Sequence, residues 1–156
     1  MTENPEVRGC VLPLSLHYSV QDHTWVSLDD DGTVRIGMTD IAQNLAGPLL
    51  HAKPKKVGAA RKRGKPVATV ESSKWVGPVK SPLTGEIVEI NEDLATDAQL
   101  INRSPYKAGW IVRMKPTDLD AELAELATGE AAVEMYRKRI EDEDLKACEH
   151  VEGFEA

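Results

Sequence analysis

The chain has 156 residues, enough for one domain to bury a core without disulfides or metals. Hydrophobic residues make up 41% and charged residues 29% of it, which is typical of globular proteins and argues against general disorder. The net charge of -7 makes nucleic acid a poor general partner. Because the chain has only one Phe, three Tyr and three Trp, its core must be mostly aliphatic.

The cysteines and the N-terminus bear on the cellular compartment. Cys10 and Cys148 are far apart and outside any C-x-x-C spacing, so we predict neither a disulfide framework nor a zinc site. Solitary thiols favour a reducing cytoplasm. The N-terminus lacks a basic segment followed by an apolar stretch, and no apolar run reaches membrane length. We therefore expect neither secretion nor membrane insertion.

Short β-branched and alternating apolar runs, separated by glycine and proline, predict a mainly β fold for the first two thirds of the chain. Residues 25–28 and 33–37 flank a turn ending in Asp-Gly, whose glycine supplies the positive φ of a tight hairpin. A helix of barely two turns is expected over residues 40–45, with Asp40 as its N-cap and Gly47 just after its end.

A strongly basic segment follows this helix. Seven lysines and arginines and no acid lie between Lys53 and Lys65. Such a run is most often a solvated loop and strand face. Its sharper interpretation is a docking patch for an acidic partner protein, and the sequence leaves both open.

Two similar glycine-led runs, residues 64–70 and 85–91, bracket Lys74. The residues between them include Gly77 and two prolines, which are concentrated in turns. We therefore expect Lys74 at or beside an exposed hairpin tip. In that position its amine protrudes from a rigid support and is accessible to a modifying enzyme.

The last third of the chain changes to helical periodicity. A polar connection over residues 91–102 is expected to hold one helical turn, and residues 110–114 predict a final strand. Beyond Asp118, apolar residues recur three and four apart in two segments, which predicts two C-terminal helices. The apolar stripe consists of Leu119, Leu123, Leu126, Val133, Tyr136 and Ile140. The acidic tail, residues 141–156, is expected to fray.

Five segments of the chain carry recognisable motifs in order. They are His23-Thr24-Trp25-Val26, Gly37-Met38-Thr39-Asp40-Ile41-Ala42-Gln43, Val70-Glu71-Ser72-Ser73-Lys74, Ser81-Pro82-Leu83-Thr84-Gly85-Glu86-Ile87 and Asn102-x-x-Pro105-Tyr106-x-x-Gly109-Trp110. These segments resemble the glycine cleavage system H proteins over roughly residues 16–140. The resemblance implies a barrel-sandwich hybrid fold (the lipoyl/biotinyl hammerhead) with short helices, two of them C-terminal. It would lie between an N-terminal extension, residues 1–15, and the tail, residues 141–156.

The resemblance also implies a cofactor. Lipoate would be joined by an amide to the ε-nitrogen of Lys74, and Glu71 would help the lipoylating enzyme recognise the turn. The chain would then be a carrier and not an enzyme, because the sulfurs of a swinging arm cycle between dithiolane and dithiol in partner enzymes. No nucleophile and base pair, phosphate loop or metal cluster occurs at interpretable spacing. A biotin carrier, the nearest alternative, usually has Met on both sides of its lysine, where this chain has Ser73 and Trp75.

Several positions differ from the H-protein pattern. Thr24 takes the place of a glutamate, Ser73 that of an apolar residue, and Trp75 begins a segment where the family has small residues. With the basic segment and residues 9–13, these differences resemble the lipoate-binding proteins of the heterodisulfide-reductase-like sulfur oxidation pathway.

Three functions follow as expectations. The first is an arm that carries sulfur intermediates to a heterodisulfide-reductase-like complex, and the alternative is an arm that carries an aminomethyl group among the glycine cleavage enzymes. Both require a lipoate-protein ligase or lipoyl transferase as a further partner. The third is a binding module that is never lipoylated.

Individual aromatic residues have simpler expected roles. Trp75 is expected to contact a partner or to shield the arm, whereas Trp25 and Trp110 are expected in the core or half-buried on strands. His17 and His23 are too isolated in the sequence to predict a metal site.

Overall fold

The computed structural model describes residues 4–156. Within that range the fold is mainly β, in antiparallel sheets. The strands are β1 (Glu6–Val7), β2 (Cys10–Val11), β3 (His17–Ser19), β4 (Thr24–Leu28), β5 (Val34–Met38), β6 (Leu49–Pro54), β7 (Ala60–Arg61), β8 (Pro66–Ser72), β9 (Val76–Lys80), β10 (Gly85–Ile90), β11 (Val112–Pro116) and β12 (Ala127–Thr128). The helices are α1 (Asp40–Ala46), α2 (Leu100–Arg103), α3 (Leu119–Leu123) and α4 (Gly129–Asp142), with a 3-10 turn at Glu92–Ala95.

The main core lies between a seven-stranded sheet, ordered β12-β3-β4-β5-β11-β10-β7, and a three-stranded sheet, ordered β6-β8-β9. Ile36 and Met114 from the larger sheet are buried in one cluster with Val70 and Val79 from the smaller sheet. This arrangement confirms the predicted barrel-sandwich architecture. The two predicted C-terminal helices are confirmed as α3 and α4.

The predicted hairpin is confirmed as β4 and β5. Trp25 on β4 lies opposite Gly37 on β5, and the indole occupies the space above the glycine. A Cβ at Gly37 would lie 2.5 Å from the Trp25 ring, so only glycine fits there. Trp25 is buried, and its Nε1 donates hydrogen bonds to the carbonyls of Met38 and Pro105.

The pairing around Lys74 differs from the sequence-based expectation. The two glycine-led runs were expected to flank the hairpin tip, and this is wrong for the second run. The first run forms β8, which pairs with β9, whereas the second run forms β10 in the other sheet. The segment assigned to turns therefore contains a strand. Pro78 is tolerated because β9 is an edge strand, where one row of backbone groups needs no partner.

Helix α1 forms as predicted, but its N-cap is different. The side chain of Thr39, not that of Asp40, accepts the hydrogen bond from the Ala42 amide. Asp40 is the first helical residue and is fully buried. Its carboxylate accepts hydrogen bonds from the Val11 amide at 2.8 Å and from the Gln43 side chain at 2.8 Å. Asp40 therefore joins the N-terminal hairpin to α1.

A second core joins the N-terminal hairpin to the C-terminal tail. The hairpin of β1 and β2 packs with α4, whose Val133, Tyr136 and Ile140 are buried. The tail does not fray as predicted, since Leu145 and Phe154 pack against the same core. Its backbone is held further by hydrogen bonds from the Cys148 amide to the Arg8 carbonyl and from the Glu155 amide to the Arg103 carbonyl.

The cysteine prediction is also wrong. Cys10 and Cys148 form a disulfide, with their Cα atoms 4.9 Å apart and a sequence separation of 138. The spacing rules that identify cysteine motifs act over short distances, whereas this pair meets because both chain ends pack on α1. The disulfide removes the cysteine-based argument for a reducing compartment.

No helix within residues 4–156 combines the length and the apolar character needed to cross a bilayer.

Candidate functional site

Lys74 lies in the short loop that joins β8 to β9. The Ser72 amide donates a hydrogen bond to the Trp75 carbonyl at 2.8 Å, and this bond closes the loop. Lys74 is exposed and makes no ion pair with any residue of the range 4–156. Its amine is therefore free to react at the tip of a supported hairpin.

Glu71 lies on β8, one residue before the end of the strand that leads into the loop. Glu71 on β8 lies opposite His51 on β6 and Val76 on β9. Its carboxylate makes no hydrogen bond or ion pair within the described part of the chain. Glu71 is therefore placed, partly exposed, directly beside the loop that holds Lys74.

An apolar cleft of about 460 Å³ opens beside Lys74, and we call it the arm cleft. Its apolar lining comes from β5, α1, β9 and the loop before β9 and consists of Met38, Ala42, Leu45, Ala46, Trp75, Pro78 and Val79. Asp22, His23 and Thr24 are polar residues of the same cleft. Thr24 is buried, and its hydroxyl has no partner among residues 4–156. The cleft thus offers an apolar chain a place to lie beside the lysine.

Trp75 forms one wall of this cleft and remains 42% exposed. Its indole lies over Gly77, where a Cβ would come within 2.2 Å of the ring. Gly77 therefore allows the indole to lie along β9. In this position Trp75 faces both the cleft and the exterior, so both roles expected from the sequence stay predictions.

Gly47, the residue after α1, lies against the end of the Lys74 side chain. A Cβ at Gly47, the residue after α1, would lie 3.3 Å from Lys74 Cε, so the lysine chain crosses this glycine. The side chain of Asn102 donates to the Gly47 carbonyl at 2.9 Å and accepts from the Leu49 amide at 2.9 Å. Asn102 is buried, so it holds α1 and β6 in a fixed relation beneath the arm.

A second, more polar recess of about 370 Å³ lies on the other side of Gly47. Its outer wall is the tail, including Lys146, Glu149 and His150, and Lys74 lines it as well. His150 Nε2 lies 2.7 Å from the Asp40 carboxylate, and Asn44 holds the backbone of the tail through its side-chain amide. The disulfide-linked tail therefore borders the site.

His23 lies in the arm cleft with an unusual backbone and an altered pKa. Its φ is 57°, and its ring stacks on Tyr136, with Nδ1 3.3 Å from the tyrosine hydroxyl. Burial, together with the positive charge of Arg139, lowers the pKa of His23 from 6.5 to about 4. The imidazole is therefore neutral at physiological pH.

Acidification should weaken the fold through His23. Because its pKa is about 4 in the folded state and 6.5 in the unfolded state, the unfolded chain binds the extra proton between these values. The free energy of unfolding should therefore fall between pH 6.5 and about 4, on the order of 2 kcal/mol from this group. Urea unfolding of wild type and His23→Asn across this range measures it, since Asn tolerates positive φ. Parallel pH profiles for the two proteins would contradict the assignment.

The structure brings together residues that the sequence treated separately. Lys74 and Glu71 lie at and beside the hairpin tip, as expected from their positions. The sequence did not identify the lining residue Leu45 or the supporting residues Gly47 and Asn102 as parts of the site. The Asn-x-x-Pro-Tyr segment was visible as a motif, but only its contacts show what Asn102 holds in place.

A barrel-sandwich fold that presents a lysine at a hairpin tip beside an apolar cleft defines the class of swinging-arm carrier domains. Comparison with known proteins identifies the family within this class. Residues 16–139 match the family model described as glycine cleavage H-protein. The chain therefore belongs to the glycine cleavage H-protein family, whose members are carriers of covalently attached lipoate.

Individual relatives agree with this assignment. The chain is 45% identical over 144 residues to glycine cleavage system H protein 2 of Aquifex aeolicus, covering 92% of this chain and 89% of that protein. It is 39% identical over 139 residues to probable glycine cleavage system H protein 2 of Saccharolobus solfataricus, covering 88% and 93%. The crystal structure of a glycine cleavage system H protein from Mycobacterium marinum aligns with a TM-score of 0.71 and 31% identity, covering 80% of this chain and 98% of that one.

Proposed function

We propose that Lys74 carries lipoate through an amide on Nζ and that the chain presents this arm to the enzymes of glycine cleavage. The observation that carries the proposal is the placement of Lys74 on a supported tip beside the apolar arm cleft. The names of the relatives, both glycine cleavage system H proteins, support these partners. A lipoate-protein ligase or lipoyl transferase is required to attach the arm.

The residues present fit this group. Amide formation neutralises Lys74, and it breaks no ion pair because Lys74 forms none within residues 4–156. When bound, lipoate supplies two sulfurs that exchange between dithiolane and dithiol. Met38, Leu45 and Trp75 provide apolar surface on which a hydrocarbon arm can lie out of water.

A second candidate is transport of sulfur intermediates to a heterodisulfide-reductase-like complex. None of the relatives described above carries a name that refers to sulfur oxidation. The observation that favours it is Thr24, because the arm cleft has a neutral hydroxyl where the H-protein motif has a glutamate. A cationic aminomethyl group would lose a carboxylate partner at this position.

Reconstitution distinguishes the two candidates. Lipoylated protein is assayed with purified aminomethyltransferase and glycine decarboxylase, and separately with a heterodisulfide-reductase-like complex. We expect glycine-dependent reduction of the arm in the first assay. Turnover only in the second assay would replace the glycine cleavage proposal with the sulfur candidate. Failure of a lipoate-protein ligase to modify the chain would favour a binding module that is never lipoylated.

We further propose that Glu71 helps the lipoylating enzyme recognise the hairpin. Its carboxylate is partly exposed beside the tip and has no partner among the described residues, so a donor on the enzyme can bind it. Glu71→Gln should lower kcat/KM for lipoylation about ten-fold or more, the usual effect of losing a charge-assisted hydrogen bond. Glu86→Gln, on an exposed position of β10, is the matched control. Equal lipoylation rates for the two variants would rule out this role.

A further inference from the structure

The cations of the chain divide into two groups by their ion pairing. Of the ten lysines and arginines outside residues 53–80, eight form ion pairs in the described range 4–156. None of the nine within residues 53–80 does so. Nine of the eleven cations that form no ion pair in this range therefore belong to one continuous stretch, which includes the hairpin that carries Lys74, and the other two are Lys115 and Lys146.

Backbone contacts bring several of these cations to the end of the three-stranded sheet that lies away from the Lys74 loop. The Lys55 amide donates to the Val67 carbonyl, and the Ser81 amide donates to the Lys65 carbonyl. Lys80 on β9 lies opposite Pro66 on β8. We call this group the cationic surface, and it consists of Lys53, Lys55, Lys56, Arg61, Lys62, Arg63, Lys65 and Lys80.

The rest of the molecule has the opposite charge. Residues 53–80 contain nine cations and one acid, Glu71, whereas the remainder contains ten cations and 25 acids. The strand β7, with Arg61, is one edge of the larger sheet, and α4 packs at the other edge, against β12. The positive charge is therefore concentrated in residues 53–80, although Glu86 on β10 lies opposite Ala60, and a concentration of one sign of charge favours binding of the opposite sign.

An apolar patch lies beside Lys74. Among the large hydrophobic side chains exposed in the described chain, four of the eight surround the arm: Leu45, Leu50, Trp75 and Val76. Protein interfaces commonly combine an apolar centre with a charged rim. The patch and the cationic surface together have this composition.

We propose that the cationic surface docks on a carboxylate-rich surface of the partner enzyme that takes up the arm, next to the entrance of its active site. His51 on β6 lies opposite Glu71, beside the loop that holds Lys74. Lys53 is two residues further along β6, a distance of about 7 Å from His51. Lys80 lies four residues along β9 from Val76, or about 13 Å. Contacts at these distances would hold the tip over the entrance. This proposal rests on the proposed carrier function.

The first experiment does not depend on lipoylation. Binding of the whole chain to poly-L-glutamate, a defined carboxylate-rich probe, is measured at low and high salt. Wild type should bind at low salt despite its net negative charge, and Lys53→Glu/Lys80→Glu should lose most of this binding. The control Lys115→Glu/Lys138→Glu has the same change in charge at lysines outside the cationic surface and should bind like wild type. Equal binding by the two variants would overturn the proposal.

The second experiment uses the lipoylated protein and the enzyme system that accepts it. Intact mass first shows that wild type and both variants carry the same modification. The Lys53→Glu/Lys80→Glu variant should raise KM for the carrier about ten-fold or more at low salt, with kcat unchanged, because rim charges act mainly on association. It should also show a weaker salt dependence of kcat/KM than wild type.

The outcomes separate the docking surface from the proposed function. If KM of the charge-reversed variant equals that of the control, the cationic surface does not dock the enzyme. If wild type is never lipoylated, the carrier proposal fails, while the poly-L-glutamate measurement still decides whether the surface binds carboxylates.

Discussion

Lys74→Arg should abolish lipoylation while leaving the fold intact. Arginine keeps the positive charge at the exposed tip, but its guanidinium remains protonated and cannot form the amide. After expression with a lipoate-protein ligase and lipoate, the intact mass of wild type should increase by one lipoyl amide, and that of the variant should not. Reduction of the arm by the partner enzymes should fall to background.

The control for this experiment is Lys80→Arg, at an exposed position on the same hairpin. It should be lipoylated like wild type, and both variants should unfold at the same temperature as wild type. A mass increment that persists in Lys74→Arg would assign the modification to another residue. Turnover by an unmodified variant would disprove the carrier mechanism itself.

Removal of the Cys10–Cys148 disulfide should produce the largest loss of stability. The crosslink closes a loop of 138 residues, for which the chain-entropy estimate is roughly 4–5 kcal/mol. Urea unfolding of Cys10→Ser/Cys148→Ser should show this decrease, and hydrogen exchange should increase first in the tail. The tail also borders the recess at Lys74, so its release should increase the acylation rate of Lys74 relative to the other lysines.

Reductant provides the matched control for the disulfide. The unlipoylated protein is used, because a lipoyl arm contains a disulfide of its own. Reductant should lower the stability of wild type to that of the double serine variant and should leave the variant unchanged. Two free thiols in wild-type protein unfolded without reductant would show that the bond does not form.

Local sequence signals were sufficient for several elements. The Asp-Gly turn and its flanking β-branched runs specify β4 and β5, because the turn geometry and the alternating pattern act within a few residues. The stripe of Val133, Tyr136 and Ile140 likewise specifies the buried face of α4. Local signals also predicted that Lys74 is exposed at a hairpin tip, although the strand that follows the tip is β9 and not the second glycine-led run.

The sequence-based predictions were wrong where contacts with distant segments, and not local preferences, decide the structure. Asp40 has the chemistry of an N-cap, but the Val11 amide and His150 bind its carboxylate, and Thr39 caps α1 instead. The residues 76–80 look like a turn because of Gly77 and Pro78. They form a strand because the edge of the three-stranded sheet tolerates a proline.

The sequence by itself indicated the family, through five ordered motifs, and predicted Lys74 on a hairpin as the site of its cofactor. It could do so because turns, periodicity and motifs are local properties of the chain. Only the tertiary structure decided what surrounds Lys74. The arm cleft, the support from Asn102, the disulfide-linked tail and the gathering of unpaired cations all join residues far apart in sequence. Packing of both chain ends and of two sheets sets those contacts, and no local pattern encodes them.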